Sequence, residues 1–414
     1  MKSILVALVT IISLHSQSKV DYLEQNRFDL TKSNFDFPQK DFSIIGFGAY
    51  HGSVKTEAAE HNLLNSLTKS GAIEYYLPET DFSLGHFLNQ YLQTGDTLLL
   101  KDLVINYGAR VPQERSIETY EKWKGIKNLN DKLPRKNRFS VLGIDQIVTY
   151  KYTAKHLLEL LNSDKIQDNA VQQLEQMVAL DTTDYSPYYD SYSKSIMKAF
   201  VASYETNTAL FSKSVIDEFA FNHIIQDLKY SFNPEVNREE VIFNNYVHLN
   251  SIYNFKEKPQ FIRFGFFHLE KQRESNNPSF FTRLIENNIY PREKVISVMG
   301  YLTESRVLWD HVYDDNGTYQ SFTTEGGFGI GDYEKEYFLG IEHLKKSKLS
   351  DMTLFCLNAS NTPYSDGMPD LIEVVMTDED YNSEAIKGKS TTEFIDYAIL
   401  ISNSKANTPI EELK

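Results

Sequence analysis

The stretch Ile44-Ile45-Gly46-Phe47-Gly48-Ala49-Tyr50-His51-Gly52 decides how this sequence is read. Its apolar run is short and lacks polar alternation, the pattern of a strand buried on both faces. It stops at Gly-Ala-Tyr-His-Gly, and a helical pattern, Glu57–Leu67, follows. Strand, glycine-bearing turn and helix make the repeating unit of an α/β protein, whose ligands bind beyond the carboxyl ends of strands. His51 stands at such an end.

The same context recurs at Gly265-Phe266-Phe267-His268, directly after Phe261–Phe264 and before a helical pattern at Phe280–Asn287. Two Gly-x-x-His turns on different strands place two imidazoles where they can share one pocket, and glycine permits close backbone approach there. A single histidine after a strand is most simply an ordinary one; the repetition is what marks this pair. Two more strand ends carry acids. Tyr75-Tyr76-Leu77-Pro78-Glu79-Thr80-Asp81 puts Glu79 past an apolar run, and Val141-Leu142-Gly143-Ile144-Asp145 does the same for Asp145. Aspartate at such a place reads first as a helix N-cap, for Asp81 as for Asp145; glutamate caps poorly, so Glu79 is the better functional candidate. Two histidines and a glutamate suit either a metal site or a metal-free base with an orienting carboxylate.

Strand-like runs fall at Phe42–Gly48, Ala72–Leu77, Phe139–Ile144, Gln260–Phe267, Val295–Tyr301, Met352–Leu357, Leu371–Met376 and Tyr397–Ser402. Helical patterns separate them, one beginning near Ser83. The expected class is therefore α/β, with a central mixed or mainly parallel sheet flanked by helices. Residues 153–255 hold no strand signal and read as amphipathic helices broken at Ser186-Pro187 and Asn233-Pro234, a helical insertion within a 42–403 α/β unit. Residues 19–41 form a lead-in. Thr182–Ser193 and Asp314–Tyr333 read as long loops, the second containing Gly-Gly-Phe-Gly-Ile-Gly-Asp, whose spacing is not that of a phosphate cradle.

Composition limits the function. Among 414 residues, 42 are basic and 57 acidic, a net charge of −15, which leaves no basic stripe for nucleic acid. The lone Cys356 forbids an intramolecular disulfide or a multi-thiolate metal site, and reads as a small buried apolar side chain. A basic start at Met1-Lys2, the apolar run Ile4–Leu14 and the small residues Ser16-Gln17-Ser18 read as a secretory leader over residues 1–18. The mature chain is thus expected in the periplasm or secreted, without stable membrane insertion and with a small-molecule substrate. Neither Gly-x-Ser-x-Gly nor His-Glu-x-x-His occurs, so a serine nucleophile elbow and a zincin helix are both excluded.

These strand ends, in their order, resemble the erythromycin esterase-like family, within the wider group that includes haem-binding ChaN-type and TraB/Tiki proteins. Gly46–Gly52 resembles the family's GExxHG strand end, and Glu79 the glutamate after its second strand. Glu121 falls near a family glutamate that precedes a helix ending in Asn. Leu142–Gln146 resembles a GxD strand end. Arg238–Asn245 (REEVIFNN) is similar to an RDxxMAxN helix, giving Arg238 and Asn245 family positions, and His268 falls on the last histidine of HNxH. The match spans about Phe42 to Ser402. The family's GExxHG glutamate would fall on Gly48, with Glu57 or Glu60 as replacements from the following helix; the first histidine of HNxH falls on Gly265. The resemblance implies a hydrolase of an ester or related acyl bond, in which His51 is general base, Glu79 orients the water or a metal, Arg238 stabilises the oxyanion and His268 donates a proton. It requires no cofactor, or a divalent metal held by His51, Glu79 and His268 in a TraB/Tiki-type variant; non-catalytic binding of haem, a metal or a small ligand is the remaining alternative.

Overall fold

The computed structural model describes residues 19–69, 73–162, 165–180, 184–377 and 381–413. The leader at 1–18, the start of the Ala72 run and the first residues of the Thr182 loop lie outside them.

Eight strands form one sheet: β1 (Arg27–Asp29), β2 (Ile44–Ala49), β3 (Tyr75–Pro78), β4 (Ser140–Val141), β5 (Gln260–Phe264), β6 (Val295–Thr303), and two later strands at Met352–Cys356 and Tyr397–Ser402. Across the sheet, Tyr397–Ser402, β6, β2, β5, β3 and β4 run parallel. Met352–Cys356 and β1 pair antiparallel at one edge. The fold is thus α/β with a mainly parallel sheet, and an edge strand comes from the 19–41 lead-in. Every residue of β2, β5 and β6 is buried, which is why these runs lack polar alternation. Alternation sends Ile44 to one apolar core and Ile45 and Phe47 to the other.

Helices α1 (Val54–Lys69), α2 (Phe82–Thr94), α3 (Thr97–Tyr107) and α4 (Ile117–Lys132) follow β2 and β3. Between β4 and β5 come α5 (Tyr150–Glu159), α6 (Asn169–Ala179), α7 (Tyr192–Thr206), α8 (Glu218–Phe232) and α9 (Arg238–Tyr253). The breaks fall around Ser186-Pro187 and Asn233-Pro234, as the sequence suggests. Leu157, Leu174, Phe200 and Phe221 of this region share one core with Ile44 and Ile262 of the sheet.

Three expectations change. Leu371–Met376 lies outside the main sheet; only Val374–Met376 is extended, in a small sheet with Asp332–Tyr333 and Glu336–Phe338. The supposed loop at Asp314–Tyr333 contains half of a hairpin, Val307–Tyr313 with Tyr319–Glu325. Most of that second strand faces outward, so it carries no apolar alternation for a reader of sequence to find. Cys356 is half-buried at a strand end, its thiol 3.3 Å from Asn358 Oδ1, and is not a core residue. Among the described residues no helix is long and apolar enough to cross a membrane.

Candidate functional site

Strand order builds the site. β2, β5, β3 and β4 are consecutive neighbours, and their carboxyl ends deliver His51, His268, Glu79 and Asp145 in that order. Each side chain is carried past its strand by a short turn. After β5 the turn is a 3-10 helix, Phe266–Leu269, in which His268 is buried. Gly143 has no alternative in its turn: a Cβ there would stand 1.9 Å from the Asp81 carbonyl oxygen. Gly48 is equally confined, since a Cβ would meet Met299 Sδ at 2.7 Å and the Phe266 Cα at 3.2 Å. No glutamate fits at that position.

His51 Nδ1 donates to Glu114 Oε1 at 2.7 Å, and its Nε2 stands 3.2 Å from Glu79 Oε2. Glu79 also accepts from the Gly265 N–H at 2.9 Å and from Arg238 Nη2 at 2.6 Å. Arg238 reaches Asp145 through Nε and Nη2 at 3.0 and 2.5 Å, and its Nη1 donates to His268 Nε2 at 3.2 Å. His268 Nδ1 in turn stands against Glu239. Arg110 approaches Asp145 at 3.8 Å from the far side. Arg238 and Glu239 occupy the first turn of α9, whose N-cap is Asn237. A cation at a helix N-terminus opposes the helix dipole, so the acids of the sheet, not the helix, hold Arg238 there.

Behind His51 lies a second layer of buried charge. Lys122 of α4 contacts Glu57 at 2.5 Å, Glu60 at 2.8 Å and Glu114 at 3.7 Å. Arg263 of β5 reaches His51 Nδ1 at 3.5 Å and Glu60 at 3.5 Å. Thr119 donates to the other Glu114 oxygen at 2.7 Å.

These contacts set the ionisation. Burial and the Arg263 charge push the His51 pKa down, but hydrogen bonds to Glu114 and Glu79 outweigh both and carry it up to about 9. Burial raises Glu79, yet His51, Arg238 and His268 hold it well below the ordinary carboxylate range. Glu114 is lowered likewise by Lys122, His51 and Arg263 against its burial, and Asp145 by Arg110 and Arg238 against its own. Glu57, buried beside Glu114, is pushed up to about 7 in spite of Lys122. The resting site is a lattice of carboxylates and cations in which His51 is an imidazolium at neutral pH.

The structure brings His51, Glu79, Arg238, His268 and Asp145 together. Asp145 is no helix cap but the partner of Arg238; Asp81 does cap α2, accepting from Leu84 N at 2.9 Å. Asn245 stays behind the site, donating to the Ile144 carbonyl at 3.2 Å and so supporting the Asp145 turn. Glu57 is not in contact with His51; it pairs with Lys122 and stands beside Glu114. Glu121 is a correction: it is exposed on α4 and pairs with Lys124, while the glutamate that reaches the site is Glu114, in the 3-10 turn Pro112–Glu114. Sequence reading passes over Glu114 because no strand end marks it, and over Arg263 because it sits inside an apolar strand. The metal reading of His51, Glu79 and His268 does not fit this donor set, since the Arg238 guanidinium bonds to both Glu79 and His268 where a cation would bind. Among the described residues no three acidic, histidine or cysteine side chains form a metal-holding group.

Tyr107 and Tyr188 stand near the charged groups. Burial together with Glu114 and Glu79 raises the Tyr107 phenol, and the Tyr188 ring, 51% exposed, lies 5.6 Å from the Arg110 guanidinium carbon. The Tyr-rich loop thus reaches the charged cluster.

No protein-family model matches this sequence, and no curated protein sequence matches it. Solved structures do. A Bacillus cereus protein from a structural-genomics programme superposes with a TM-score of 0.61 at 14% identity, over 95% of this chain and 99% of that one. A succinoglycan biosynthesis protein gives 0.60 at 12%, over 95% and 98%. An erythromycin esterase mutant in an open conformation gives 0.58 at 11%, over 89% and 92%. The chain has an erythromycin esterase-like fold.

Proposed function

We propose that this protein hydrolyses an ester or related acyl bond, with His51 moving the proton of an attacking water. One observation carries the reading: an unbroken contact chain Glu114–His51–Glu79–Arg238–Asp145, in which His51, Glu79 and Asp145 come from three strand ends, Glu114 from a 3-10 turn and Arg238 from a helix. Glu114 on Nδ1 fixes the ring so that Nε2 faces Glu79, the base-and-orienter pairing of acid–base catalysis. A water held against Nε2 and the Glu79 carboxylate is then polarised for attack. Because the resting imidazole is protonated, it reaches its base form by losing the Nε2 proton, and turnover is expected to climb as pH approaches 9. Arg238, pinned by two carboxylates, supplies fixed positive charge for a developing oxyanion. His268, accepting from Arg238 and facing Glu239, positions that guanidinium; this contact favours a positioning role over proton donation. The likeness to an erythromycin esterase supports the reaction class at the level of fold only.

Export completes the proposal, with residues 1–18 as a cleaved leader and Lys19 as the mature terminus; amino-terminal sequencing of protein from the extracellular or periplasmic fraction checks it. For the chemistry, the purified chain is assayed on aryl and alkyl esters, lactones and peptides. His51→Gln is expected to lower kcat by about 10²-fold or more on any ester that turns over. Turnover of nothing, or a His51→Gln variant as active as the parent, ends this reading.

A further inference from the structure

On the other side of Tyr50 and Phe266 lies a cavity of about 310 Å³, at the carboxyl ends of β2, β5 and β6. Its wall is aromatic. Phe266 stacks on Phe338 with centroids 5.4 Å apart, and Tyr301 meets both rings edge-on at 5.4 and 5.0 Å. Three carboxyl groups also line it, Glu270, Glu274 and Glu336, and among the described residues no lysine, arginine or histidine does. Glu274 accepts from Asn382 Nδ2 at 2.8 Å, and Glu336 from Gly329 N at 3.2 Å. Glu270 differs: it is 2% exposed, its buried Oε2 has no hydrogen-bond partner, and no described cation lies within ion-pair distance.

A buried carboxyl group without a partner is costly, so an apolar wall around one is unfavourable unless a ligand supplies the missing donor. We infer that this cavity binds an organic cation, an amine carried on an apolar body, with Glu270 as its anchor and the Phe266–Tyr301–Phe338 wall as its seat. An ammonium meets the Glu270 carboxyl group with a charge-assisted hydrogen bond, and the aromatic lining favours a cation further. Burial and the neighbouring Glu274 push the empty Glu270 carboxyl well above its usual range, against a weaker pull from Lys389. A bound ammonium favours the ionised form of Glu270 and so opposes that upward push. The ring neighbours of both site histidines, Tyr50 beside His51 and Phe267 beside His268, share this wall, so a cationic group seated here sits next to the charged cluster. The inference concerns binding and does not need the hydrolytic reading.

The test is direct titration of the full chain with 4-phenylbutylamine and 4-phenylbutan-1-ol, which differ only in the terminal group. The amine is expected to bind at least about tenfold tighter, since a charged hydrogen bond outweighs a neutral one by that much. Glu270→Gln brings the two toward parity, and Val374→Trp, which fills the cavity, abolishes both. Equal binding by the parent protein overturns the inference without any variant, and so does amine binding that survives Val374→Trp. A chain that binds the amine but turns over no ester loses only the proposed function; an active esterase indifferent to the amine loses only this inference.

Discussion

At the scale of the residue, the decisive fact is that one imidazole carries two carboxylates. Glu114 raises the His51 pKa, whereas burial and Arg263 lower it. Removing the Glu114 charge therefore leaves the lowering influences less opposed. Glu114→Gln is expected to move the rising limb of the kcat/KM profile from about 9 toward lower pH, while kcat falls by about 10²-fold because the ring loses its orienter. A pH titration of both proteins checks the sign, and an unmoved limb removes Glu114 from control of His51. His51, Glu79, Asp145 and His268 are legible in the sequence because each ends a strand, and strand ends are where α/β folds place chemistry. Glu114, Lys122 and Arg263 are not, because nothing local distinguishes them. Lys122 sits on an amphipathic helix, and its partners Glu57, Glu60 and Glu114 meet it only after β2 and the later helices have packed.

At the scale of the element, the His51 turn and the Glu114 turn are held together by the end of the chain. Asn407 N donates to the Gly52 carbonyl at 2.8 Å, and Asn407 Nδ2 donates to Ser116 Oγ, the N-cap of α4, at 3.1 Å. Ile117 N reaches the Thr408 carbonyl at 2.8 Å, and Leu308 N, from the hairpin, reaches Gly52 O at 2.8 Å. Asn407 is fully buried. Asn407→Ala is expected to cost about 1–2 kcal/mol of stability. Because it loosens the spacing between His51 and Glu114, kcat should fall more than that loss explains, with KM nearly unchanged. Activity measured well below the melting temperature separates the two effects, and parental kcat there refutes the clamp. Gly143→Ala tests the other side of the site. The added methyl has no room against the Asp81 carbonyl, so the Asp145 turn must shift, and Arg238 loses its bidentate partner. The parallel strands of this frame are legible as apolar runs; the clamp and the hairpin are not. The clamp residues are polar and the second hairpin strand is largely exposed, and the clamp acts through backbone hydrogen bonds and the Asn407 amide, which no apolar pattern encodes.

At the scale of the whole molecule, the ionisable groups buried on folding oppose one another below about pH 6.5 and lower stability together above it. A group whose folded pKa exceeds its unfolded value binds extra protons when folded, so stability falls as pH rises between the two values. Asp81, buried and capping α2, is pushed up to about 6, and Glu57 to about 7. Glu270 and Asp227 are also raised by burial. Each makes folding less favourable as pH rises beyond the ordinary carboxylate range. His51 continues the decline: its contribution is complete below about 6.5 and lost as pH rises through about 9, on the order of 3 kcal/mol. The depressed carboxylates Glu79, Glu114 and Asp145 act oppositely, supporting the fold above the ordinary carboxylate range and failing it only in stronger acid. Surface carboxylates, the main source of the net charge of −15, are already ionised above pH 6 and change little beyond it. His156 and His223, each lowered by burial to about 3, oppose the raised carboxylates by gaining stability as pH rises toward about 6.5, so the melting temperature is expected to change little below about 6.5 and to decline from there to about 9. His51→Gln should flatten only that decline, and Glu57→Gln should alter the profile only between about 4.5 and 7. A melting temperature that is level or rising from pH 6 to 9 would mean that His51 is not protonated in the folded protein, and the proton inventory of the proposed site would have to be rebuilt from a neutral imidazole.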